Sequence, residues 1–266
     1  MSEKKAFSLQ TIFRILERAG ERILSCREKE SIEAMEKEGV CNYVTKFDVE
    51  IQAYIEGELK ELLPEAVFFA EEMDREARGT GEITVYLDPV DGTANLIRGN
   101  RNTAISLAIA QGGRLKFGAV YAPDTREMFY AERGKGAFLN GRPIQVSRRS
   151  LPEAVMMAGT ASYYKEALGK QTMRLIAGLY EKTADLRRYG SAALEMCQVA
   201  CGRAEFSFEM KLYPWDYAAG WLIVQEAGGI VTDLDGGKLP LDRSSSVLCC
   251  NRIVYDEVLT VCKDIG

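Results

Sequence analysis

Hydrophobic residues near the start of the chain recur at helical spacing in two segments. After Ser8, a candidate N-cap, apolar residues recur every three or four positions from Leu9 to Leu24. A second helical pattern follows Asp48 and ends at Leu62, just before Pro64. The charged segment from Arg27 to Gly39 separates the two patterns and predicts either a mobile loop or an extension of the first helix.

Between residues 66 and 150 the pattern is that of β-strands. The apolar run Ala66 to Ala70 leads directly into Glu71-Glu72, and after a polar loop a second run, Ile83 to Leu87, leads into an acidic motif. Asn140-Gly141 marks a tight turn. Alternation of apolar and polar residues predicts further strands at 103–110, 116–121, 127–131 and 144–146.

From about residue 150, strand and helix patterns alternate. The predicted strands are 154–158, 186–189, 204–208, 230–232 and 247–250, and the predicted helices are 163–180, 191–200, 216–227 and 254–262. Helices and strands in both halves of the chain indicate stacked α and β layers. A chain of 266 residues is long enough for one large domain or two tightly packed halves.

Composition narrows the classes of partner. The formal net charge of −5 gives no general attraction to nucleic acid or to an anionic membrane, and we interpret the small basic clusters Arg148-Arg149 and Arg187-Arg188 as solvated surface. No apolar run approaches the roughly 18 residues of a membrane span, and the N-terminus does not resemble a signal peptide. We therefore expect a cytoplasmic protein that binds neither nucleic acid nor membrane.

The seven cysteines and the absence of histidine restrict the chemistry further. The cysteine count is odd and no Cys-x-x-Cys pair occurs, so we interpret the cysteines mostly as small buried thiols. A zinc site is disfavoured because the chain contains no histidine. Any catalysis must rely on carboxylates, hydroxyls, amines, backbone amides and bound metal.

The acidic motif Asp88-Pro89-Val90-Asp91-Gly92-Thr93-Ala94-Asn95 is the most informative stretch. Pro89 restricts the backbone of both Asp88 and itself, so we expect a rigid turn that presents two carboxylates. Hard cations such as Mg²⁺ prefer oxygen ligands of this kind, and amides that open a helix after Gly92 would bind phosphate. A simple turn with an Asp cap would give the same residues, so the motif alone leaves both interpretations open.

Two other segments also have small or acidic residues at the start of a predicted helix. Trp215-Asp216 precedes the small residues Ala218-Ala219-Gly220, and Gly190-Ser191-Ala192-Ala193 opens another predicted helix. Asp216 suits an ordinary N-cap as well as a metal ligand. The second segment suits either a close approach to a ligand or a tight helix contact.

Taken together, these blocks resemble the inositol monophosphatase family of magnesium-dependent, lithium-sensitive phosphatases. The resemblance covers the chain from about residue 8 to its end, in family order, and is carried by Thr45 and Asp48, Glu71-Glu72, Asp88 to Thr93 with Asn95, Arg187 with Gly190 to Ala193, Trp215-Asp216 with Ala218 to Gly220, and Glu226 to Gly229. It implies an α/β fold, a five-layer αβαβα sandwich. We expect one domain over residues 1–266, with an N-terminal α+β half to about 147 and a C-terminal α/β half from about 148.

The resemblance also implies residue roles. Metal ligands would be Glu71, Asp88, the carbonyl of Val90, Asp91 and Asp216, with Asp88 shared by two ions. Asp48 and Thr93 would orient and activate the attacking water, with help from Glu71. Substrate contacts would come from Asp91, Gly92, Thr93, Gly190, Ser191, Ala192 and Glu209. Lys37 falls where the family carries a loop lysine near a weaker third metal site.

The implied reaction is direct in-line hydrolysis of a phosphate monoester by metal-activated water. The resemblance implies two or three Mg²⁺ ions per site, Mn²⁺ as a substitute, inhibition by Li⁺ and Ca²⁺, and a homodimer. We expect a small polyol phosphate as substrate, foremost inositol 1-phosphate. Fructose-1,6-bisphosphatase and 3′-phosphoadenosine 5′-phosphate phosphatase activities stay open as alternatives, as does a non-catalytic protein that binds metal and phosphate.

Two departures from the family bear on specificity. Leu96 stands where an aromatic residue is common after Asn95, which we expect to change packing more than chemistry. The loop from Met73 to Glu82 is short and polar, and the family varies there with substrate. The leaving group is therefore the least predictable part of the reaction.

Overall fold

Two β-sheets form the frame of the molecule. The computed structural model describes residues 8–27, 34–36, 43–73 and 81–265. Its strands are β1 Ala34–Glu36, β2 Tyr43–Thr45, β3 Val67–Ala70, β4 Ile83–Asp91, β5 Ala104–Gln111, β6 Arg114–Ala122, β7 Glu127–Glu132, β8 Ala137–Leu139, β9 Arg142–Ile144, β10 Val155–Ala158, β11 Asp185–Arg187, β12 Phe206–Leu212, β13 Ile230–Thr232 and β14 Ser245–Cys250.

Seven α-helices pack around and between the sheets in the described part of the chain. They are α1 Leu9–Arg27, α2 Lys46–Leu62, α3 Thr93–Ile97, α4 Lys165–Tyr180, α5 Ala192–Ala200, α6 Pro214–Glu226 and α7 Tyr255–Ile265. A 3₁₀ turn, Ser162–Tyr164, leads into α4. Most helices thus lie where the hydrophobic periodicity predicted them.

The two sheets differ in topology. The larger has the order β3-β4-β5-β6-β7-β8-β9 and is antiparallel except for the parallel pair β3–β4. The smaller has the order β11-β10-β12-β14-β13, with β10 parallel to both neighbours and β14 antiparallel to both of its own. Strands β1 and β2 form a separate antiparallel pair.

The layers stack in the order helix, sheet, helix, sheet, helix. Helices α1 and α2 share a core with one face of the seven-stranded sheet. Helices α5 and α6 fill the space between the two sheets, and α4 and α7 cover the outer face of the five-stranded sheet. The predicted αβαβα arrangement is confirmed.

Helix α6 is apolar on all sides because it lies between the sheets. Ten of its thirteen residues are buried, and it contacts strands of both sheets as well as α5. The packing is tightest at Gly118 of β6, where an added Cβ would lie 2.9 Å from the carbonyl oxygen of Ala219. The chain therefore has glycine where the sheet and the central helix meet.

Some sequence predictions fall elsewhere or outside the described residues. The strand expected at 144–146 is found at Arg142–Ile144, two residues earlier in the chain. Helix α1 ends at Arg27, which pairs with Asp124, and residues 28–33 and 37–42 lie outside the description. The division into halves near residue 147 stays a prediction.

The described cysteines and helices can be compared with what the composition predicted. The six described cysteines are free thiols; five are buried and Cys201 is partly buried, while Cys41 lies outside the described residues. Among the described residues, no helix is both long enough and apolar enough to cross a membrane.

Candidate active site

A cavity of about 1230 Å³ opens where β3 and β4 end and where α3, α5 and α6 begin. Every described residue that the sequence predicted for the site lines it, except Asp48, which reaches it through Thr93. The lining includes Glu71, Asp88, Val90, Asp91, Gly92, Thr93, Gly190, Ser191, Ala192, Glu209 and Asp216. Three distant stretches of the sequence thus meet at one place.

The acidic motif is not the turn that we expected. Strand β4 continues through it to Asp91, and its pairing with β5 shifts register between Asp88 and Asp91. Because residues three apart in a regular strand point to opposite faces, the extra residue in this bulge lets both carboxylates line the same cavity. Asp88 also accepts a hydrogen bond of 2.9 Å from the amide of Val90, which fixes its orientation.

Asp48 and Thr93 form a buried pair beside the acids. Thr45, rather than Asp48, is the N-cap of α2, and Asp48 completes a capping box by accepting from the Thr45 amide at 2.8 Å. The Thr93 hydroxyl donates to Asp48 Oδ1 at 2.9 Å and also lies 3.1 Å from the carbonyl oxygen of Val90. Burial raises the pKa of Asp48, and the hydrogen bonds from Thr45 and Thr93 oppose that rise.

Asp91 joins the end of β4 to the start of α5. Its Oδ2 accepts from the hydroxyl of Ser191 at 2.6 Å and from the amide of Ala193 at 2.7 Å. Ser191 is itself the N-cap of α5, so the carboxylate faces the positive end of the helix. Burial raises the pKa of Asp91 to about 6 although these hydrogen bonds lower it.

Asp216 occupies the third position of α6. Tyr213 is the N-cap and Pro214 begins the helix, so Asp216 is not the N-cap itself; it accepts from the amide of Tyr213 at 2.7 Å. Burial, followed by the charges of Glu71 and Asp91, raises its pKa well above the ordinary range. Burial and the same neighbours also raise the pKa of Asp88.

The donor set suits a hard cation. Four carboxylates and the Val90 carbonyl supply oxygen only, which is the ligand type that Mg²⁺ and Mn²⁺ take. In the described residues, no three acidic or cysteine side chains are already arranged to hold an ion. The carboxylates instead accept hydrogen bonds from Ser191, Ala193, Tyr213 and Val90. Burial, followed by the like charges of neighbouring carboxylates, raises the pKa of Asp88 and of Asp216, and a bound cation would oppose both effects.

Glu209, on β12, also lines the cavity. Burial and the neighbouring Glu195 raise its pKa to about 8, while Arg188 opposes the rise. Its carboxylate packs directly on Gly159, where an added Cβ would lie 1.6 Å from it. Gly159 therefore leaves the space that Glu209 occupies.

The sequence reasoning missed several lining residues. Glu195, on α5 one turn after Ser191, is buried, and burial raises its pKa to about 7. Tyr163 is 40% exposed, yet burial of its hydroxyl and the charges of Glu71 and Asp91 raise its pKa. The position of Glu195 four residues after Ser191 was a usable signal, since both lie on one helix face. Tyr163 has no such signal.

Five basic residues also line the cavity, all from the half of the chain after residue 160. They are Lys165, Lys170, Arg174, Arg188 and Lys211. Arg188 donates to the Ser162 hydroxyl at 3.2 Å, and the Lys211 ammonium lies 4.1 Å from the centre of the Tyr164 ring. The predicted loop residue Lys37 and most of the loop between Met73 and Glu82 lie outside the described residues.

Comparison with known proteins shows the family to which the chain belongs. The model of the inositol monophosphatase family matches residues 7–265. The chain belongs to the inositol monophosphatase family. The resemblance found in the sequence is thus confirmed, and family membership supports a phosphatase activity.

Relatives in the family carry different names. The chain is 39% identical over 230 residues, 86% of each chain, to the fructose-1,6-bisphosphatase/inositol-1-monophosphatase of Thermotoga maritima. It is 39% identical over 215 residues, 80% of each chain, to the inositol-1-monophosphatase of Rhizobium meliloti. It is also 36% identical over 230 residues, 86% of each chain, to the Nus factor SuhB of Vibrio cholerae.

Solved structures of the family have the same fold. The IMPase of Thermotoga maritima superposes with a TM-score of 0.88 at 34% identity, covering 97% of each chain. The SuhB protein of Bartonella henselae gives a TM-score of 0.88 at 29% identity, covering 96% of this chain and 98% of the other. The αβαβα sandwich is therefore the fold of this family.

Proposed function

We propose that this protein is a magnesium-dependent phosphomonoesterase that hydrolyses a small polyol phosphate, foremost inositol 1-phosphate. The observation that carries the proposal is the convergence of Glu71, Asp88, Asp91 and Asp216 in one cavity, beside the buried Asp48–Thr93 pair. Such a cluster of like charges is costly to bury unless it binds cations.

The acids divide into two sets of ligands. Glu71, Asp88 and the Val90 carbonyl would hold one ion, and Asp88, Asp91 and Asp216 would hold the second. When bound, Mg²⁺ supplies charge to stabilise the phosphate and lowers the pKa of water. Mn²⁺ would substitute, Li⁺ and Ca²⁺ would inhibit, and a third ion near Lys37 belongs to the same proposal.

Asp48 and Thr93 orient the attacking water. The Thr93 hydroxyl donates a hydrogen bond to Asp48 Oδ1, so its lone pairs are left to accept a hydrogen bond from water. Burial makes Asp48 a better proton acceptor than an exposed aspartate, because the charged form is disfavoured there. Glu71, whose charge also raises the pKa of Asp48, would assist.

The backbone at the start of α3 would bind the phosphate. Gly92 adopts φ +94° at the N-cap, and an added Cβ would lie 2.9 Å from the carbonyl oxygen of Asn102. The amides of Asn95 and Leu96 are the ones that bond to the Gly92 carbonyl. The amides of Gly92 and Thr93 precede them in the chain and would donate to the phosphate oxygens.

Glu209, with Gly190, Ser191 and Ala192, would hold the polyol. A carboxyl group whose pKa is about 8 is protonated at neutral pH and both donates and accepts hydrogen bonds. That property suits the hydroxyl groups of a polyol better than an apolar leaving group. A small dianionic substrate, a cytoplasmic location and a homodimer complete the proposal.

A bisphosphorylated sugar is the second candidate substrate. The five basic residues line the same cavity as the acids, and Arg and Lys are the side chains that bind a second phosphate. The relative from Thermotoga maritima is named for both activities. A 3′-phosphoadenosine 5′-phosphate activity lacks comparable support, since nothing in the sequence indicated an adenine pocket.

Phosphate release from a substrate panel tests the proposal. The panel contains inositol 1-phosphate, fructose 1,6-bisphosphate, 3′-phosphoadenosine 5′-phosphate and p-nitrophenyl phosphate, each with and without Mg²⁺, Mn²⁺, Li⁺ and Ca²⁺. We expect Mg²⁺-dependent release from inositol 1-phosphate that Li⁺ inhibits. Turnover of the nucleotide but not of the polyol phosphates would contradict the substrate, and no release from any ester would favour a non-catalytic binding protein.

A further inference from the structure

The turn formed by Tyr189 and Gly190 is held from two opposite sides. Glu195 Oε1 accepts from the amide of Tyr189 at 2.7 Å and from the amide of Gly190 at 3.0 Å. The Asn95 side-chain amide donates to the carbonyl of Tyr189 at 2.8 Å and lies 3.3 Å from that of Gly190. The backbone N–H and C=O groups of both residues thus have hydrogen-bond partners.

These two partners come from different layers of the molecule. Asn95 belongs to α3, which follows the seven-stranded sheet, whereas Glu195 belongs to α5, between the sheets. Asn95 also donates to the carbonyl of Asn102 at 2.8 Å, so its side chain is anchored within its own half of the chain. The turn therefore connects the β4–α3 segment to α5.

The turn leads directly to a contact with a candidate metal ligand. Ser191 follows Gly190, and its hydroxyl donates to Asp91 Oδ2 at 2.6 Å. The amide of Ala193, in the first turn of α5, donates to the same oxygen at 2.7 Å. A shift of the turn would move both donors away from Asp91.

Gly190 is required for this arrangement. It has φ +74°, where an L side chain is strained, and an added Cβ would lie 3.1 Å from Arg188 Nη1 and 3.3 Å from Asn95 Nδ2. Glycine gives the backbone of the turn more conformational freedom than another residue would. A fixed acceptor for the amides of Tyr189 and Gly190 therefore restricts the turn to one conformation. Glu195 supplies that acceptor for both amides.

We propose that Glu195 is a positioning residue, which fixes the Tyr189–Gly190 turn and thereby holds Ser191 and Ala193 against Asp91. The inference rests on the proposed function only in treating Asp91 as a ligand. Hydrogen-bond partners of metal ligands typically contribute about 10- to 100-fold in metal affinity. Glu195 acts one contact further away, so we expect the lower end of that range.

The test uses two substitutions at Glu195 and one matched control. Glu195→Gln keeps a carbonyl oxygen that can accept from both amides, whereas Glu195→Leu removes the acceptor. The control is Glu226→Leu, because Glu226 also accepts from two backbone amides of a glycine turn, those of Gly134 and Gly136. Glu226 ends α6 and Asp216 lies near its start, so about 15 Å of helix separates the control from the site.

The first measurement is the Kd for Mn²⁺, determined by isothermal titration calorimetry in the absence of substrate. We expect Glu195→Leu to raise the Kd for Mn²⁺ about tenfold and Glu195→Gln to stay within about threefold of the original chain. Glu226→Leu should lower thermal stability without changing the Kd. Equal Mn²⁺ affinity in all three variants, or equal loss in both leucine variants, would overturn the proposal.

Hydrogen exchange at the Ala193 amide gives the second measurement and does not depend on a metal. We expect faster exchange at Ala193 in Glu195→Leu, near-original exchange in Glu195→Gln, and no change in Glu226→Leu. A chain that hydrolyses no polyol phosphate would defeat the proposed function but would leave this readout intact. Unchanged exchange at Ala193 in Glu195→Leu would defeat the positioning role by itself.

Discussion

The acidic and the basic residues that line the cavity, which we call its acidic end and its basic end, differ in burial as well as in charge. The acids Asp88 and Asp91 are almost completely buried, and backbone amides or a hydroxyl fix their orientation. Most of the basic residues at the other end are exposed, and three of them, Lys165, Lys170 and Arg174, belong to the surface of α4. The acidic end is built into the core, whereas the basic end lies on the molecule's surface.

We infer from this difference that the acidic end serves hydrolysis and the basic end serves recognition of the substrate. Buried like charges destabilise the fold, so their presence indicates a function that repays the cost. Exposed lysines and arginines cost little and contribute little to stability, so they can change with the substrate without affecting the fold. We therefore expect substitutions at the acidic end to change the rate of hydrolysis and substitutions at the basic end to change the choice of ester.

The largest effect is expected from Asp91→Asn. The amide oxygen can still accept from Ser191, so the fold should persist, but the charge that attracts a cation is lost. We expect Mg²⁺-dependent release of phosphate to fall at least about 1000-fold. Phosphate assays with circular dichroism as the fold control check this, and full activity in the variant would contradict the assignment of Asp91 as a ligand.

Thr93→Val tests the water-orienting pair. Valine matches threonine in shape but removes the hydroxyl that donates to Asp48. We expect kcat to fall about 100-fold, with a much smaller change in KM, because general-base assistance typically contributes 10²- to 10⁴-fold. Thr84→Val, at a buried threonine that bonds to Gly81, is the matched control and should retain kcat. A fall in both variants would indicate a packing effect only.

Gly159→Ala tests the role of Glu209 in binding the polyol. Its new Cβ would overlap the Glu209 carboxylate, which must turn away or move. We expect KM for inositol 1-phosphate to rise about tenfold, while hydrolysis of p-nitrophenyl phosphate, which has no polyol, changes little. Gly169→Ala on α4, where the nearest atom would be 3.4 Å away, is the control. Equal losses for both esters would show that Glu209 does not recognise hydroxyl groups.

The basic end is tested by combining Arg188→Gln and Lys211→Gln. If these side chains bind a second phosphate, KM for fructose 1,6-bisphosphate should rise several-fold, roughly tenfold at most, with inositol 1-phosphate affected less than about twofold. Lys116→Gln, at an exposed position of β6, controls for the loss of surface charge. A parallel rise for both esters would remove the distinction between the two ends.

The smallest effect concerns stability and pH. The pKa of Glu209 is about 8 in the folded chain and near 4.5 when exposed, so the folded state keeps a proton that the unfolded state loses. Stability from this group is therefore present below pH 4.5 and is lost as the pH rises toward 8. Glu209→Gln should abolish that loss and raise Tm at pH 8.5 by roughly 2–4 °C relative to the original chain. If the fall in Tm between pH 6 and pH 8.5 is the same in Glu209→Gln and in the original chain, the raised pKa of Glu209 is contradicted.

The sequence predicted the acidic end far better than the basic end for a physical reason. Asp88, Asp91 and Gly92 form a short local pattern, and the family resemblance linked them to Glu71 and Asp216. The bulge in β4 was missed because register depends on β5, the partner strand, and not on the motif itself. The local pattern therefore identified the acids but not the backbone geometry that brings them together.

The remaining misses depend on contacts between distant parts of the chain. Gly159 makes room for Glu209, fifty residues away, and Glu195 matters because of the turn that it holds. Tyr163 lines the same cavity as the acids and belongs to the 3₁₀ turn before α4. Neither hydrophobic periodicity nor motif spacing contains such information. The predicted layers succeeded because each helix and strand carries its own period.

The burial of α6 has a consequence for how the active site is acquired during folding. An apolar helix that needs both sheets to cover it gains little from either sheet alone. An intermediate with only one sheet formed would leave this helix exposed, and with it Asp216. Asp216, the proposed ligand on this helix, therefore reaches its place only when the whole core closes, so we expect a partly folded chain to be inactive even where its first sheet is complete.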